Sequence, residues 1–201
     1  MTVTLTVSHH PLQQLRDDRA LARTRSDPMA NVCSFATVSR LGAEVRTLVL
    51  RDIGDQLAVF YSATSPKAKE LSEQARAQAL IYLPSVGVQY RLWLRPRQVA
   101  RELLEKHWPL RPIAAKQLDW LYNLQTPQSA PITDRVALRA AITQVASDER
   151  ASMTTPPPAA IGCFLDPDRI ERLRLDDSDP PHDRRLYELV GEVWRETVLV
   201  P

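Results

Sequence analysis

Residues 44–71 read EVRTLVLRDIGDQLAVFYSATSPKAKEL, and this stretch decides the fold class of the chain. Apolar and polar residues alternate over 44–53, and 56–62 is rich in apolar and aromatic residues, which is typical of half-buried strands. Gly54-Asp55 lies between them and favours a short hairpin turn. The stretch therefore predicts two consecutive antiparallel strands.

A helix is predicted to follow the second strand. Ser65 can cap it, Pro66 suits its first position, and good helix formers continue it. The helix begins beside a run of hydroxyl side chains, from Tyr61 to Ser65, and carries Lys67 near its start. Free backbone N–H groups at a helix start, hydroxyl donors and a fixed cation favour the binding of a phosphate.

The alternation along 44–53 places a second cation on an apolar strand face. One face carries Arg46, Leu48 and Leu50, and the other carries Val45, Thr47, Val49 and Arg51. An arginine among leucines on an interior face is costly unless an anion neutralises it. In one interpretation Arg46 and Lys67 together form a phosphate cradle. In the other, Arg46 pairs with an acid such as Glu44 or Asp52, and the serine is only a helix cap.

The rest of the chain adds strands and helices around this unit. Strand character recurs in 31–39, 77–85, 88–100, 161–167, 169–175, 185–190 and 193–200. Helical character appears in 8–26, 99–124 and 133–150, and 153–160 is a proline-rich connector. Antiparallel runs with inserted helices predict an α+β fold, mainly an antiparallel β-barrel with peripheral helices. We expect one domain over 1–201, with 1–27 as an N-terminal helical segment.

Composition and charge argue against several functional classes. The chain has 201 residues, a net charge of +2 and 44% hydrophobic residues, which is ordinary for one globular domain. This positive charge is too small to indicate a nucleic-acid partner. The five glycines are dispersed, so the glycine-rich loops of the common nucleotide folds are absent.

Neither a metal nor a membrane is indicated. No Cys/His spacing matches a zinc site, and we expect no bound metal. Residues 1–10 lack the pattern of a signal peptide and no run of 18 apolar residues occurs, so a cytoplasmic protein is expected. Cys33 and Cys163 each lie in an apolar stretch and are expected to be buried free thiols, with a disulfide as the alternative.

Five blocks, in order, resemble the FMN-binding core of the pyridoxamine 5'-phosphate oxidase family. They are RTLVLR (46–51), FYSATSPKAKEL (60–71), Gln89, Gln128-Ser129 and His182-Asp183-Arg184, the last followed by WRETVLVP. The resemblance extends over residues 28–201. It implies a split β-barrel, a homodimer with FMN at the subunit interface, and a small-molecule substrate.

The resemblance also implies which residues contact FMN. They are Arg46, Thr47, Leu48, Val49, Tyr61, Ser62, Ser65, Lys67, Gln89, Gln128, Ser129 and Arg184. By position, Arg46 and Lys67 would bind the FMN phosphate, with hydroxyl contacts from Ser62 and Ser65.

Other positions would contact the flavin ring. Residues 47–49 would donate and accept backbone hydrogen bonds along the isoalloxazine, and Gln89 would contact it as well. Gln128 and Ser129 would reach in from the second subunit. Arg184 would lie near the N1–C2 edge, where a positive charge stabilises the anionic reduced flavin.

The positions that would hold the substrate depart from the family pattern. Arg51, His107, Arg111 and His182 occupy them, whereas Ala115 and Pro180 stand where the oxidase has a serine and an arginine. His107 stands where the oxidase has a tyrosine. These departures predict a diverged member that oxidises pyridoxamine 5'-phosphate poorly.

The predicted function is that of an FMN-dependent oxidoreductase acting on an unidentified small substrate. One alternative is a non-catalytic protein that binds FMN or pyridoxal phosphate. Another is a flavin reductase that uses a nicotinamide coenzyme.

Overall fold

Ten strands form one curled antiparallel sheet in the computed structural model, which describes residues 5–6, 10–175, 178 and 180–201. The strands are Leu5–Thr6 (β1), Val32–Ser39 (β2), Gly42–Val49 (β3), Arg51–Ile53 (β4), Gln56–Ser62 (β5), Ala77–Leu83 (β6), Val88–Gln98 (β7), Ala160–Arg174 (β8), Asp183–Val190 (β9) and Val193–Leu199 (β10). Their order is β1-β10-β9-β8-β7-β6-β2-β3, and β5 pairs with both β4 and β8. The predicted α+β class, mainly an antiparallel barrel, is confirmed.

Five helices lie around the sheet. They are Pro11–Thr24 (α1), Pro66–Glu73 (α2), Arg101–His107 (α3), Ile113–Leu124 (α4) and Arg135–Ala146 (α5). Short 3-10 turns cover Pro28–Asn31 and Trp108–Leu110. Within the described part of the chain, no helix is both long enough and apolar enough to cross a membrane.

The strand predicted over 44–53 is broken at Leu50. This residue is buried, and its N–H donates to the Asn31 carbonyl at 2.9 Å instead of continuing the ladder. β3 pairs with β2 before the break, and β4 pairs with β5 after it. The predicted placement of Arg51 on one face with Val45 and Thr47 is therefore wrong, because Arg51 belongs to a separate strand.

The two strands predicted in 161–175 are one continuous strand, β8. The register against β7 shifts between Trp93 and Leu94, which pair with Arg169 and Pro167, so Asp168 is the extra residue of a bulge. A bulge tolerates a proline because the ladder is already interrupted there. One unbroken β8 can therefore pair with β5 near its start and with β9 near its end.

Two faces of the sheet have different surroundings. The core face carries fully buried side chains such as Phe35 and Tyr90, against which Leu15 of α1 packs. The outer face leaves Val45 and Val49 at least half exposed. A second apolar cluster lies among α3, α4 and α5, and both cysteines are buried and free, as predicted.

Candidate functional site

Two cations meet at the start of α2. Arg46 lies opposite Phe35 on the core face, and its Nη2 is 3.1 Å from Oε2 of Glu70. The same guanidinium donates to the Thr37 hydroxyl, which in turn donates to Glu70. The acid that pairs with Arg46 is thus Glu70, one helical turn beyond Lys67, and not Glu44 or Asp52.

Lys67 is buried without an acidic partner. It is 7% exposed, and within the residues that the structure describes its ammonium makes no hydrogen bond or ion pair. Its Nζ lies 5.7 Å from the centroid of the Tyr61 ring. Burial lowers the pKa of Lys67, the neighbouring Arg46 lowers it further, and Glu70 opposes both effects. A buried cation without an acidic partner is stabilised when an anion binds beside it.

Hydroxyl groups line the turn that precedes α2. Ser62 and Thr64 share a hydrogen bond of 2.8 Å, and Thr64 Oγ1 accepts the Gln128 backbone N–H at 3.1 Å. Ser65 occupies the N-cap position, but its hydroxyl makes no capping bond, contrary to the prediction. Ser65 Oγ and Gln128 Oε1 are both buried and have no hydrogen-bond partner among the residues that the structure describes. Two buried polar atoms without a partner, beside a buried cation, suit the binding of a polar ligand.

The Gln128 contact is made within one chain. The loop after α4 folds back onto the turn before α2, so Gln128 lies at the clamp formed by its own Arg46 and Lys67. Ser129 follows with a φ of +72°, a left-handed conformation that is uncommon outside glycine. Contact of these two residues with a second subunit stays a prediction.

Thr47, Leu48 and Val49 lie on the free edge of the sheet. β3 ends the strand order and, among the described strands, pairs only with β2. An edge strand leaves alternate N–H and C=O groups unpaired. This strand can therefore hydrogen-bond a flat ligand through its backbone, as the resemblance implies.

Gln89 and Arg184 lie on the outer face, opposite to Arg46. Leu173 pairs with both residues across neighbouring strands, so the two side chains share one row of that face. Arg184 Nη2 is 3.1 Å from Oε1 of the buried Glu171, and its Nη1 donates to the Val200 carbonyl at 3.2 Å. Within one chain, the structure does not bring these groups to the clamp.

Three predicted substrate residues meet in one pocket. Arg51, His107 and Arg111 line one cavity that is partly open to solvent. The remaining lining residues are Phe60, Tyr61, Leu104, Trp108, Asp119, Ala160 and Ile161. The rings of His107 and Phe60 are stacked with centroids 6.5 Å apart.

Tyr61 connects this pocket to the clamp. One face of its ring lies near Lys67, and the same residue is part of the pocket wall. Burial raises the pKa of the Tyr61 phenol and that of the neighbouring Cys163 thiol, the latter to about 11. Tyr61 is therefore a neutral phenol that separates the two cations of the clamp from the pocket.

His182 lies elsewhere. It lines a second, more open cavity with Arg174, Asp183 and Arg184, on the side of the sheet where β9 begins. The structure thus divides the predicted residues into two groups. One group consists of the clamp and of the cavity lined by Arg51, His107 and Arg111, which we call the Arg51 pocket. Gln89, His182 and Arg184 form the other group.

Two acids of the site, Glu70 and Asp119, were not predicted from the sequence. Asp119 is 5% exposed and accepts two hydrogen bonds from Arg111. Burial raises the pKa of Asp119, and the Arg111 contact opposes this rise. The available signal was a lone acid among the apolar residues of α4, next to Trp120. No group of three or more His, Cys, Asp or Glu within the described ranges could hold a metal ion.

Known proteins resemble the chain over nearly its whole length. No protein-family model matches it. A pyridoxine/pyridoxamine 5'-phosphate oxidase of Erythrobacter litoralis is 31% identical over 192 residues, covering 92% of this chain and 86% of the relative. A dihydrophenazinedicarboxylate synthase of Burkholderia lata is 26% identical over 183 residues, covering 90% of this chain and 82% of the relative.

Solved structures share the fold. PhzG from Burkholderia lata, solved in complex with tetrahydrophenazine-1-carboxylic acid, superposes with a TM-score of 0.83 at 26% identity, over 96% of this chain and 93% of its own. An FMN-binding protein of Nostoc punctiforme, related to pyridoxamine 5'-phosphate oxidase, gives a TM-score of 0.75 at 22% identity, over 97% of this chain and 100% of its own. The fold is therefore a split barrel of this type.

Proposed function

Since the chain belongs to the pyridoxine/pyridoxamine 5'-phosphate oxidase family, we propose that it binds FMN and oxidises a small aromatic substrate. The observation that carries the proposal is Lys67 at the start of α2, which is buried and has no acidic partner in the described part of the chain. Beside it lie Arg46 and the orphaned hydroxyl of Ser65. This donor set fits the terminal phosphate of FMN, because charged and hydroxyl donors converge at a helix N-terminus.

The edge strand β3 would orient the flavin ring. Backbone groups of residues 47–49 face outward from the sheet edge and suit the polar rim of the isoalloxazine. FMN, when bound, supplies the acceptor for a hydride from the substrate. The chain supplies position and charge, with Tyr61 as the wall between the phosphate clamp and the substrate pocket.

The Arg51 pocket would hold the substrate. Phe60, Tyr61 and Trp108 provide flat apolar surfaces, and Arg51 provides a cation. Aromatic walls exclude water and restrict a planar ring to few orientations, which is how an enzyme places a reacting carbon near its acceptor. A small aromatic anion fits this lining.

We infer that two chains complete each site. Gln89 and Arg184 lie on the face opposite to the clamp, and His182 lines a separate cavity, so one chain cannot present them to the same flavin. A second copy packed on the outer face would bring its own Gln89 and Arg184 to the edge of β3. Arg184 would then place a positive charge beside the reduced flavin.

The absorbance spectrum of the purified protein tests the cofactor. We expect a yellow protein with flavin bands, and FMN as the flavin released on denaturation, because the clamp is built for a terminal phosphate. Added FAD should bind more weakly than FMN. A colourless protein that also fails to bind added FMN would refute the proposed function.

A further inference from the structure

The substrate pocket contains an ion pair that changes its charge. Arg111 donates from Nε to Asp119 Oδ2 and from Nη2 to Oδ1, the latter at 2.9 Å. A guanidinium and a carboxylate that meet by two parallel bonds hold a fixed geometry and cancel each other's charge. Asp119 is buried, so solvent does not screen the pair strongly.

After this cancellation, one cation among the lining residues is left without an acidic partner. It is Arg51, which makes no ion pair within the described chain. The remaining walls are aromatic or aliphatic. A phosphate ester brings a second negative charge. No cation of the lining would neutralise that charge, and it would lie beside the Asp119 carboxylate.

The clamp at α2 provides a contrast. Glu70 also cancels one of its two cations, but that site adds three hydroxyl groups and the start of a helix. The Arg51 pocket has no comparable set of neutral donors among its lining residues. The two anion sites therefore differ in the charge that they can accommodate.

We propose that this pocket selects aromatic carboxylates over aromatic phosphate esters, and that Asp119 is the residue that sets this preference. The proposal rests on the proposed function, since it assigns the substrate class of the same site. A carboxylate carries one negative charge, which Arg51 neutralises. A phosphate ester carries close to two at pH 8, because its second pKa is about 6.

Binding of a matched pair of probes tests the preference. Titration calorimetry at pH 8 would compare 1-naphthoate with 1-naphthyl phosphate on the wild-type protein carrying its flavin. We expect naphthoate to bind at least tenfold more tightly. Asp119→Asn frees Arg111 and should improve binding of the phosphate ester about tenfold more than that of the carboxylate, because the dianion gains twice the Coulomb energy.

Control variants separate charge from structure. Asp119→Glu retains the negative charge and should keep the preference for naphthoate. Asp148→Asn removes an equivalent acid from the exposed Asp148–Arg150 pair, away from the pocket, and should leave the ratio of the two affinities unchanged.

The outcomes also separate this inference from the proposed function. A wild-type protein that binds FMN but prefers naphthyl phosphate overturns the inference alone, even if no variant folds. An unchanged ratio in folded Asp119→Asn does the same. A protein that binds no flavin refutes the proposed function, whereas a preference for naphthoate would still support the charge assigned to the pocket.

Discussion

Lys67 and Arg46 carry the same charge, but they differ in what they contribute to the fold. Arg46 neutralises the buried Glu70, so its removal leaves an uncompensated carboxylate. Lys67 has no acidic partner among the described residues, and its burial is a cost to the protein without ligand. The two residues should therefore behave alike toward FMN and differently toward unfolding.

Substitution at each position tests this difference. Arg46→Ala and Lys67→Met should each weaken FMN binding by about 1.5–3 kcal/mol, the range for hydrogen bonds to charged groups. Arg46→Ala should also lower the free energy of unfolding of the flavin-free protein by about 1–3 kcal/mol, less than for a fully buried pair because Arg46 is partly exposed. Lys67→Met should not lower it. Fluorescence titration and urea denaturation measure both quantities.

The pH dependence provides a check on Lys67. Its folded pKa is lowered below the ordinary 10.5, so the unfolded chain binds more protons between these two values. Stability of the flavin-free protein should rise with pH across that window, and Lys67→Met should remove this slope. A Lys67→Met protein that binds FMN as tightly as the wild type would exclude Lys67 from the clamp.

At the scale of elements, β5 and β8 approach so closely that only glycine fits at position 162. A Cβ added there would lie 2.4 Å from Phe60 Cδ1 and 3.0 Å from the Val59 carbonyl oxygen. Phe60 stacks on His107 and forms a wall of the substrate pocket. The pairing of these two strands therefore fixes the position of a pocket side chain.

Gly162→Ala should destabilise the protein by about 1–3 kcal/mol, the usual cost of overpacking, and should displace Phe60. Adding Phe60→Leu should recover part of this loss, since neighbouring changes couple. Gly191→Ala is the control, because no atom lies within 4 Å of its added Cβ and only its positive φ opposes the change. Equal urea midpoints for Gly162→Ala and the wild type would contradict the close approach.

Elements were predicted well where periodicity was clear and poorly where tertiary pairing intervened. The alternation over 44–53 could not reveal the break at Leu50, because that break depends on a hydrogen bond to the distant Asn31. The bulge at Asp168 depends on the register with β7, which local sequence does not contain. Both acids of the site were missed for the same reason, since their arginine partners are eight and 24 residues away.

At the scale of the whole molecule, the outer sheet face exposes apolar side chains that one chain leaves uncovered. Val45, Val49, Leu80 and Tyr82 are between 37% and 65% exposed on that face. Exposed apolar patches beside polar residues often mark interfaces. A homodimer would cover this patch and unite the two groups of site residues.

Sedimentation measures this assembly. We expect a homodimer of the 22.7 kDa chain, and dilution to monomer should release flavin. Leu80→Lys should weaken the dimer and lower FMN affinity together, because it places a charge on the covered face. Val136→Lys, on the exposed side of α5, should change neither property. A monomer that retains FMN tightly would contradict a site shared between two chains.

The free edge of β3 also affects how readily the protein aggregates in a cell. Unpaired backbone groups on an edge strand are a template for the addition of a further strand. The exposed Val45 and Val49 add apolar surface to β3, which favours such association. Bound flavin and the partner subunit would shield this edge from other chains, in addition to completing the site. New chains in excess of the available flavin would then aggregate. The supply of flavin would therefore limit the yield of soluble protein before it limits the rate of catalysis.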